Sequence, residues 1–156
     1  MTALTHVSIL GPSYLPEDWA AWVRSVLVRF LVPHSALRLH IGLQRGAGLL
    51  ACEIALEQQI LYSVYEPRHR HNTGEVFETL RNGARNVHGC AQKSAVVNSR
   101  TFREYARKVI GAGEKIVIVL RRTTPTSVYL QMALETDKPI YLIDMDRAVA
   151  DWVAKK

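Results

Sequence analysis

The sequence predicts a Rossmann-like α/β fold, a three-layer α/β/α arrangement around an open, mainly parallel sheet of about five strands. Two observations predict this fold class. Short apolar segments alternate along the whole chain with longer segments in which apolar residues recur at helical spacing. The segments "KIVIVL" and "PIYLID" are almost entirely apolar, as strands are when helices cover both faces of their sheet. The 156 residues contain no repeat or linker, so we expect one domain, residues 1–156.

The first half of the chain begins with a buried strand, "HVSILG", that ends at Gly11. Pro16 and the two acidic residues after it suit the first turn of a helix, and apolar residues follow at helical spacing over residues 19–30. The next segments, "ALRLHIG", "GAGLLACEIALEQQ" and "ILYSVY", predict a strand, a helix and another strand.

The second half begins with residues 66–94, which are polar, basic and interrupted by glycines. They are expected to form an elaborated loop with one short helix around residues 76–80. A helix, "SRTFREYARKVIGAG", and the clearest strand, "KIVIVL", follow. Thr124 and Pro125 suit the start of the helix "PTSVYLQMALET". "KPIYLID" is the last predicted strand, and "RAVADWVAKK" is expected to be a short terminal helix.

The composition favours an anionic partner. Lys and Arg outnumber Asp and Glu by 20 to 14, and much of the excess is arginine, whose planar group suits phosphate. No apolar stretch has the length of a membrane span, and the N-terminus lacks the pattern of a secretion signal. We therefore expect a cytoplasmic protein with no membrane partner, in which Cys52 and Cys90 stay reduced.

The turn "GLQRGAG" is the first candidate for a ligand site, because open α/β sheets bind ligands at the carboxyl ends of their strands. Its glycines allow close approach to the backbone, the following helix N-terminus attracts anions, and Arg45 can hold an anion from the side. In the alternative interpretation, Gly46 and Gly48 let the helix pack tightly and Arg45 is solvated. The spacing matches neither the dinucleotide fingerprint nor the Walker motif, and no cofactor is expected.

The turn "RRTTPTS" is the second candidate. Its hydroxyl groups either cap the next helix or bind a phosphate. Arginine flanks both turns, which favours one shared anion site with amides near Ser13, Gly46 and Thr124. The residues expected to contact the ligand are Gly11, Ser13, Gly42, Arg45, Gly46, Ala47, Asn98, Arg100, Arg122, Thr123, Thr124 and Thr126.

Two carboxylates are candidates for catalysis. Glu66 ends the third predicted strand, at the edge where ligands bind, and Glu53 lies nearly two turns into the second helix, where an exposed structural role is the alternative. His69 and His71 have arginine neighbours that oppose a divalent cation, and no further ligand completes a set, so no metal site is expected.

The order of these segments resembles the SLOG superfamily, Rossmann-like proteins that include the DNA-processing protein DprA, the Lonely Guy phosphoribohydrolases and the YpsA-like proteins. The YpsA and YspA branch is the most similar. It has a first strand that ends in glycine and a glycine turn that Gly42, Arg45 and Gly46 match. The resemblance also implies ligand contacts for Asn98 and Arg100 of "VNSRTFREYARKVI" and extends to the final "KPIYLID".

The resemblance implies binding or sensing of a nucleotide or a nucleotide-derived phosphorylated ligand. The glycine-rich segment with a catalytic glutamate that the phosphoribohydrolases carry is replaced here by "RRTTPTSVY", with Tyr129 about where the glutamate stands. One alternative is N-glycosidase or (deoxy)ribosyl transfer activity that uses Glu66 or Glu53. Another is DprA-like nucleic-acid binding, although aromatic residues make up only 8% of the chain. Trp19 and Trp22 suit a core or an interface, which leaves self-association open.

Overall fold

A seven-stranded sheet runs through the centre of the protein in the computed structural model, which describes residues 4–33, 36–67, 74–90 and 99–154. The strands are β1 (Thr5–Leu10), β2 (Leu37–Gly42), β3 (Leu61–Pro67), β4 (Asn86–Cys90), β5 (Lys115–Leu120), β6 (Ile140–Asp144) and β7 (Val149–Trp152). The helices in the described ranges are α1 (Glu17–Leu31), α2 (Ala47–Glu57), α3 (Glu75–Gly83), α4 (Ser99–Ala112) and α5 (Thr126–Leu134).

The strand order across the sheet is β4-β3-β2-β1-β5-β6-β7, and every neighbouring pair is parallel except β6 and β7. The chain adds strands outward from β1 to β4 and then returns to place β5 on the other side of β1. The order therefore reverses between β1 and β5. The loops that follow these two strands lead away from each other, and sheets of this type bind ligands in a crevice at that point.

Helices cover both faces of the sheet, which confirms the predicted three-layer α/β fold. α1, α2 and α3 pack on one face, and α4 and α5 pack on the other. The strand β5 shows why its sequence is apolar throughout: Val117 and Val119 belong to the first core, whereas Ile116 and Ile118 belong to the second. None of the described helices combines the length and apolar character that crossing a membrane requires.

The described part of residues 66–94 is more regular than the predicted loop. The short helix expected near residues 76–80 is present as α3, whose buried residues Phe77 and Leu80 pack on the first core. The strand β4 was missed because "NVHGC" lacks an apolar run. An edge strand paired on one side needs no such run, because much of its surface stays in water; Val87 of β4 is 48% exposed.

The C-terminal helix prediction is wrong, because this segment forms β7, which pairs antiparallel with β6. The chain reverses at Ala148, which has a positive φ of 52°. Trp152 then packs against Phe30 and Tyr141, with ring centroids 5.6 and 5.4 Å away. Strand pairing and these aromatic contacts outweigh the weak helical pattern of the segment. With β4 and β7 the sheet has seven strands instead of about five.

Trp19 and Trp22 pack against the first core. Both side chains are partly buried there, and their rings meet edge to face with centroids 5.5 Å apart. The core interpretation accounts for both residues, and self-association through them stays a prediction.

Candidate functional site

The loop that follows β1 lies directly against the N-terminus of α2. The backbone N–H of Ala47 donates to the Pro12 carbonyl at 3.2 Å. A Cβ atom on Gly46 would collide with that carbonyl and with the Tyr14 amide, and a Cβ on Gly11 would collide with the Ala47 side chain. These glycines therefore have a packing role, and the Ala47 amide already has a partner within the protein.

Gly42 and Gly48 are in equally tight surroundings. A Cβ on Gly42 would meet the hydroxyl group of Tyr105 from α4, and a Cβ on Gly48 would meet the Gly42 carbonyl. The tight-packing interpretation of the turn thus accounts for its glycines. Whether they also contact a ligand stays a prediction.

Gln44 is a candidate site residue that sequence reasoning missed. Its side chain lies in the turn between β2 and α2, is 3% exposed, and has an Nε2 atom with no hydrogen-bond partner among the described residues. It lies near Tyr129 at the end of the first turn of α5. Burial raises the pKa of Tyr129, and the nearby Gln44 amide opposes this shift. A neutral phenol therefore lies beside an amide, and both are buried.

The hydroxyl groups of the turn between β5 and α5 bond mainly within the turn. The Thr124 Oγ1 donates to the Arg121 carbonyl at 2.6 Å, and the Thr126 Oγ1 accepts from the Arg121 amide at 2.9 Å. The two threonine oxygens lie 2.8 Å apart. These bonds tighten the entry to α5, which has Pro125 at its N-cap. Thr123 remains exposed.

Arg122 bonds to two aspartates at the end of β6. Its Nη1 and Nη2 donate to the two carboxylate oxygens of Asp144, each at 3.2 Å, and its backbone amide donates to Asp146 at 2.8 Å. The hydrogen bonds and negative charge of Asp144 raise the pKa of Arg122. The side chain predicted to neutralise a ligand thus already neutralises an internal carboxylate.

Arg45 is exposed and lies over the ring of Phe77 from α3, with its guanidinium carbon 5.4 Å from the ring centroid. Arg81 approaches the same ring at 6.0 Å. These contacts hold Arg45 at the α3 side of the edge, where its charged group still reaches solvent.

The two candidate carboxylates are in different surroundings. Glu66 accepts two hydrogen bonds of 2.8 Å from Arg81, one on each oxygen, and its side chain is 13% exposed. Glu53 lies about 10 Å along α2 from the helix N-terminus, given a rise of about 1.5 Å per residue. Burial raises the pKa of Glu53, and the positive charge of Arg24 on α1 opposes this shift. Glu53 thus lies toward α1, away from the carboxyl ends of the strands, which we call the carboxyl edge of the sheet.

Several predicted positions lie outside the described residues or at their margin. Asn98, His69 and His71 are not described. Arg100 is the second residue of α4, which begins at the carboxyl edge because it follows β4. Ser13 is exposed in the loop after β1. Within the described ranges, His, Cys, Asp and Glu residues do not gather in groups of three that would suit a metal ion.

The charges at the carboxyl edge are unevenly paired. Glu66 at the end of β3 pairs with Arg81, and Asp144 and Asp146 at the end of β6 share Arg122. Among the described residues, Arg121 and Arg147 form no ion pair with a carboxylate. Together with Arg45 they form what we call the arginine rim. Tyr14, 67% exposed, lies in the loop after β1 at the same edge.

Comparison with solved structures gives an informative similarity. No protein-family model matches the chain, and no curated protein sequence matches it. The structure of DNA processing protein A from Helicobacter pylori, described for its unique single-stranded DNA binding mode, is similar with a TM-score of 0.64 and 15% identity. The similarity covers 88% of this chain and 64% of that one. The chain thus has a fold similar to that of one SLOG protein, DNA processing protein A.

Proposed function

We propose that the carboxyl edge of the sheet binds single-stranded nucleic acid through its phosphate groups. The observation that carries this proposal is the pairing of charges at the edge. Arg81 and Arg122 each pair with two carboxylates, whereas Arg121 and Arg147 of the arginine rim form no ion pair with a carboxylate of the described residues. A phosphate backbone supplies the missing negative charge and releases counterions when it binds.

Tyr14 adds a second feature that such a site uses. Proteins that bind single strands without sequence preference combine a basic surface with exposed aromatic rings on which bases stack. Tyr14 is 67% exposed and belongs to the loop that borders the crevice. The single-stranded DNA binding described for DNA processing protein A of Helicobacter pylori supports the same class of ligand.

A matched set of variants tests the arginine rim. We expect wild-type protein to bind a single-stranded oligonucleotide in fluorescence anisotropy, with an affinity that falls as salt rises. Arg121→Gln/Arg147→Gln should weaken binding and lower the slope of log K against log salt by about 1.4, because each lost single-strand phosphate contact is worth about 0.7. Arg29→Gln is the control, since Arg29 is exposed in the last turn of α1, at the opposite edge of the sheet.

Two outcomes would contradict the proposal. In one, Arg29→Gln weakens binding as much as the rim variant does, which would mean that only net charge matters. In the other, no binding is detected at physiological salt.

A nucleotide or nucleotide-derived phosphorylated ligand is the second candidate. The specific observation in its favour is Gln44, whose buried Nε2 donor has no partner among the described residues. A ligand oxygen that enters the crevice beside Tyr129 would satisfy this donor. Calorimetry with a panel of nucleotides tests this candidate, with Arg45→Ala as the variant. Tight nucleotide binding that Arg45→Ala leaves unchanged would contradict a phosphate site beside that arginine.

The N-glycosidase alternative has less support from the geometry. Arg81 occupies both carboxylate oxygens of Glu66, and Glu53 lies toward α1. Release of a free base from a nucleoside monophosphate, lost in Glu66→Gln, would establish that alternative in place of binding alone.

A further inference from the structure

A second group of basic side chains lies on the face of the sheet that α4 covers. His6, Arg38, His40 and His88 come from β1, β2 and β4, and we call this group the basic face. The parallel registers place the side chains of these residues on one side of the sheet, because His6 is level with Arg38, and Ser8 with His40. Tyr65 of β3, level with His88, belongs to the core beneath α4 and α5.

Among the described residues, Arg38 is bonded only to neutral groups. Its Nη2 donates to the Ser63 hydroxyl at 3.0 Å. When the Asn86 amide is turned so that its oxygen and its nitrogen both form hydrogen bonds, the oxygen accepts from the same Nη2 of Arg38 at 2.6 Å. The amide nitrogen then donates to the Arg85 carbonyl. The Nε atom of Arg38 is buried and has no partner among the described residues.

Arg38 has no Asp or Glu side chain of the described ranges within ion-pair distance. All 14 Asp and Glu side chains lie in the described ranges, and none of them forms an ion pair with Arg38. A partly buried guanidinium without a counter-charge is costly, because neutral hydrogen bonds replace only part of the hydration it has lost. An anion bound from solvent would remove that cost.

The histidines around Arg38 are held in place by a chain of contacts. The Nδ1 of His6 lies 2.8 Å from the Nε2 of His40, and the Nδ1 of His40 lies 3.1 Å from the Tyr65 hydroxyl. The ring of His88 stacks on that of Tyr65 with centroids 4.5 Å apart. Burial and then the charges of His6, Arg38 and His88 lower the pKa of His40 to about 4.

We propose that the basic face binds a small oxyanion, a phosphate or carboxylate group, between Arg38 and the exposed side chains of Asn86 and His88. This site is separate from the arginine rim, because Arg38 and Asn86 lie near the starts of β2 and β4, whereas the rim follows the ends of the strands. The anion would complete the ion pair that the chain itself does not supply. A ring N–H of His88 and the amide nitrogen of Asn86 provide further donors.

Thermal unfolding with inorganic phosphate or acetate tests the site, at an ionic strength held constant with chloride. We expect either anion to raise the Tm of the wild-type protein in a saturable way. Arg38→Gln should lose that response and match or exceed the wild-type Tm without added anion, because an uncompensated charge is gone. Arg29→Gln, which changes an exposed arginine of α1, should respond as the wild type does.

Amide NMR shifts locate the bound anion, and His88→Ala provides a second variant on an exposed side chain. We expect phosphate or acetate to shift the amides of β4, with a weaker response in His88→Ala. A response to phosphate alone assigns a phosphate group, and a response to acetate alone assigns a carboxylate. The proposal is overturned if neither anion raises the Tm, if Arg38→Gln keeps the full response, or if the shifts occur only in the loops of the arginine rim.

Discussion

Arg122 and Asp144 form a bidentate ion pair in which both nitrogen–oxygen distances are 3.2 Å. The pair connects the turn after β5 to the end of β6. Asp144 is 4% exposed and therefore depends on this partner for its charge to be tolerated. An arginine that sequence reasoning assigned to a ligand thus stabilises the edge on which the ligand is proposed to bind.

The first prediction concerns this pair. Arg122→Gln should lower the Tm by about 2–4 °C, because it leaves the carboxylate of Asp144 buried without a counter-charge. Adding Asp144→Asn should recover part of the loss, since the second change removes the unpaired charge. Differential scanning calorimetry of the two single variants and the double variant measures both effects. If the double variant loses more stability than the two single variants lose together, the pair does not act through its charges.

The second prediction concerns pH. The pKa of His40 is lowered from 6.5 to about 4, chiefly by burial and further by His6, Arg38 and His88. Between these values the unfolded chain binds a proton that the folded protein does not. This contribution to stability is therefore complete above pH 6.5 and is lost as the pH falls toward 4. The loss amounts to about 3 kcal/mol, at about 1.4 kcal/mol per pKa unit.

Urea unfolding between pH 7.5 and pH 4.5 measures that loss. Carboxylates titrate in the same range, so the informative quantity is the difference between the wild-type protein and His40→Gln. The wild type should lose more stability than the variant on acidification. Parallel curves would show that His40 does not carry the pH dependence.

The third prediction separates packing from ligand binding at the turn before α2. Gly46→Ala should destabilise the protein by about 1–3 kcal/mol, because the new methyl group would collide with the Pro12 carbonyl and the Tyr14 amide. Gly111→Ala is the matched control: no atom lies within 4 Å of its Cβ position in α4, so it should stabilise by about 0.5–1 kcal/mol. Denaturant midpoints compare the two. A Gly46→Ala protein of normal stability that binds nucleic acid poorly would point to direct ligand contact instead.

The fourth prediction concerns the unpaired amide in the crevice. Gln44→Met removes a buried donor without a partner, so the free energy of unfolding should stay within about 1 kcal/mol of the wild-type value. Nucleotide affinity measured by calorimetry should fall at the same time if a ligand uses that donor. Gln58→Met, an exposed change at the C-cap of α2, should leave affinity unchanged. Unchanged nucleotide affinity in Gln44→Met would remove the main support for the nucleotide candidate.

The sequence predicts a strand correctly where burial on both faces makes its residues apolar. "KIVIVL" is covered on both faces and is apolar throughout, so β5 is evident from sequence. "NVHGC" and "VADW" form edge strands, in which polar or exposed residues are tolerated and periodicity is lost. Such strands are specified by pairing with β3 and β6, which no local pattern contains.

The candidate site shows the same limit. Sequence reasoning places the two turns at the carboxyl edge because strand ends and helix starts are local features. It does not reveal that Arg122 pairs with Asp144, 22 positions away, or that Glu66 pairs with Arg81, 15 positions away. Those ion pairs determine which arginine side chains can still bind a ligand. Only the assembled sheet brings the paired residues together.

The antiparallel direction of β7 has a practical consequence for attachment of the protein to a surface. Because β7 runs back along β6, Trp152 lies level with Tyr141, near the start of β6, and β1 also starts at that end of the sheet with Thr5. Both ends of the described fold thus emerge about one strand length, about 17–20 Å, from the arginine rim. A biotin tag or fusion partner joined at either end would leave the rim facing the solution, so surface-based binding assays are suited to this protein in both orientations.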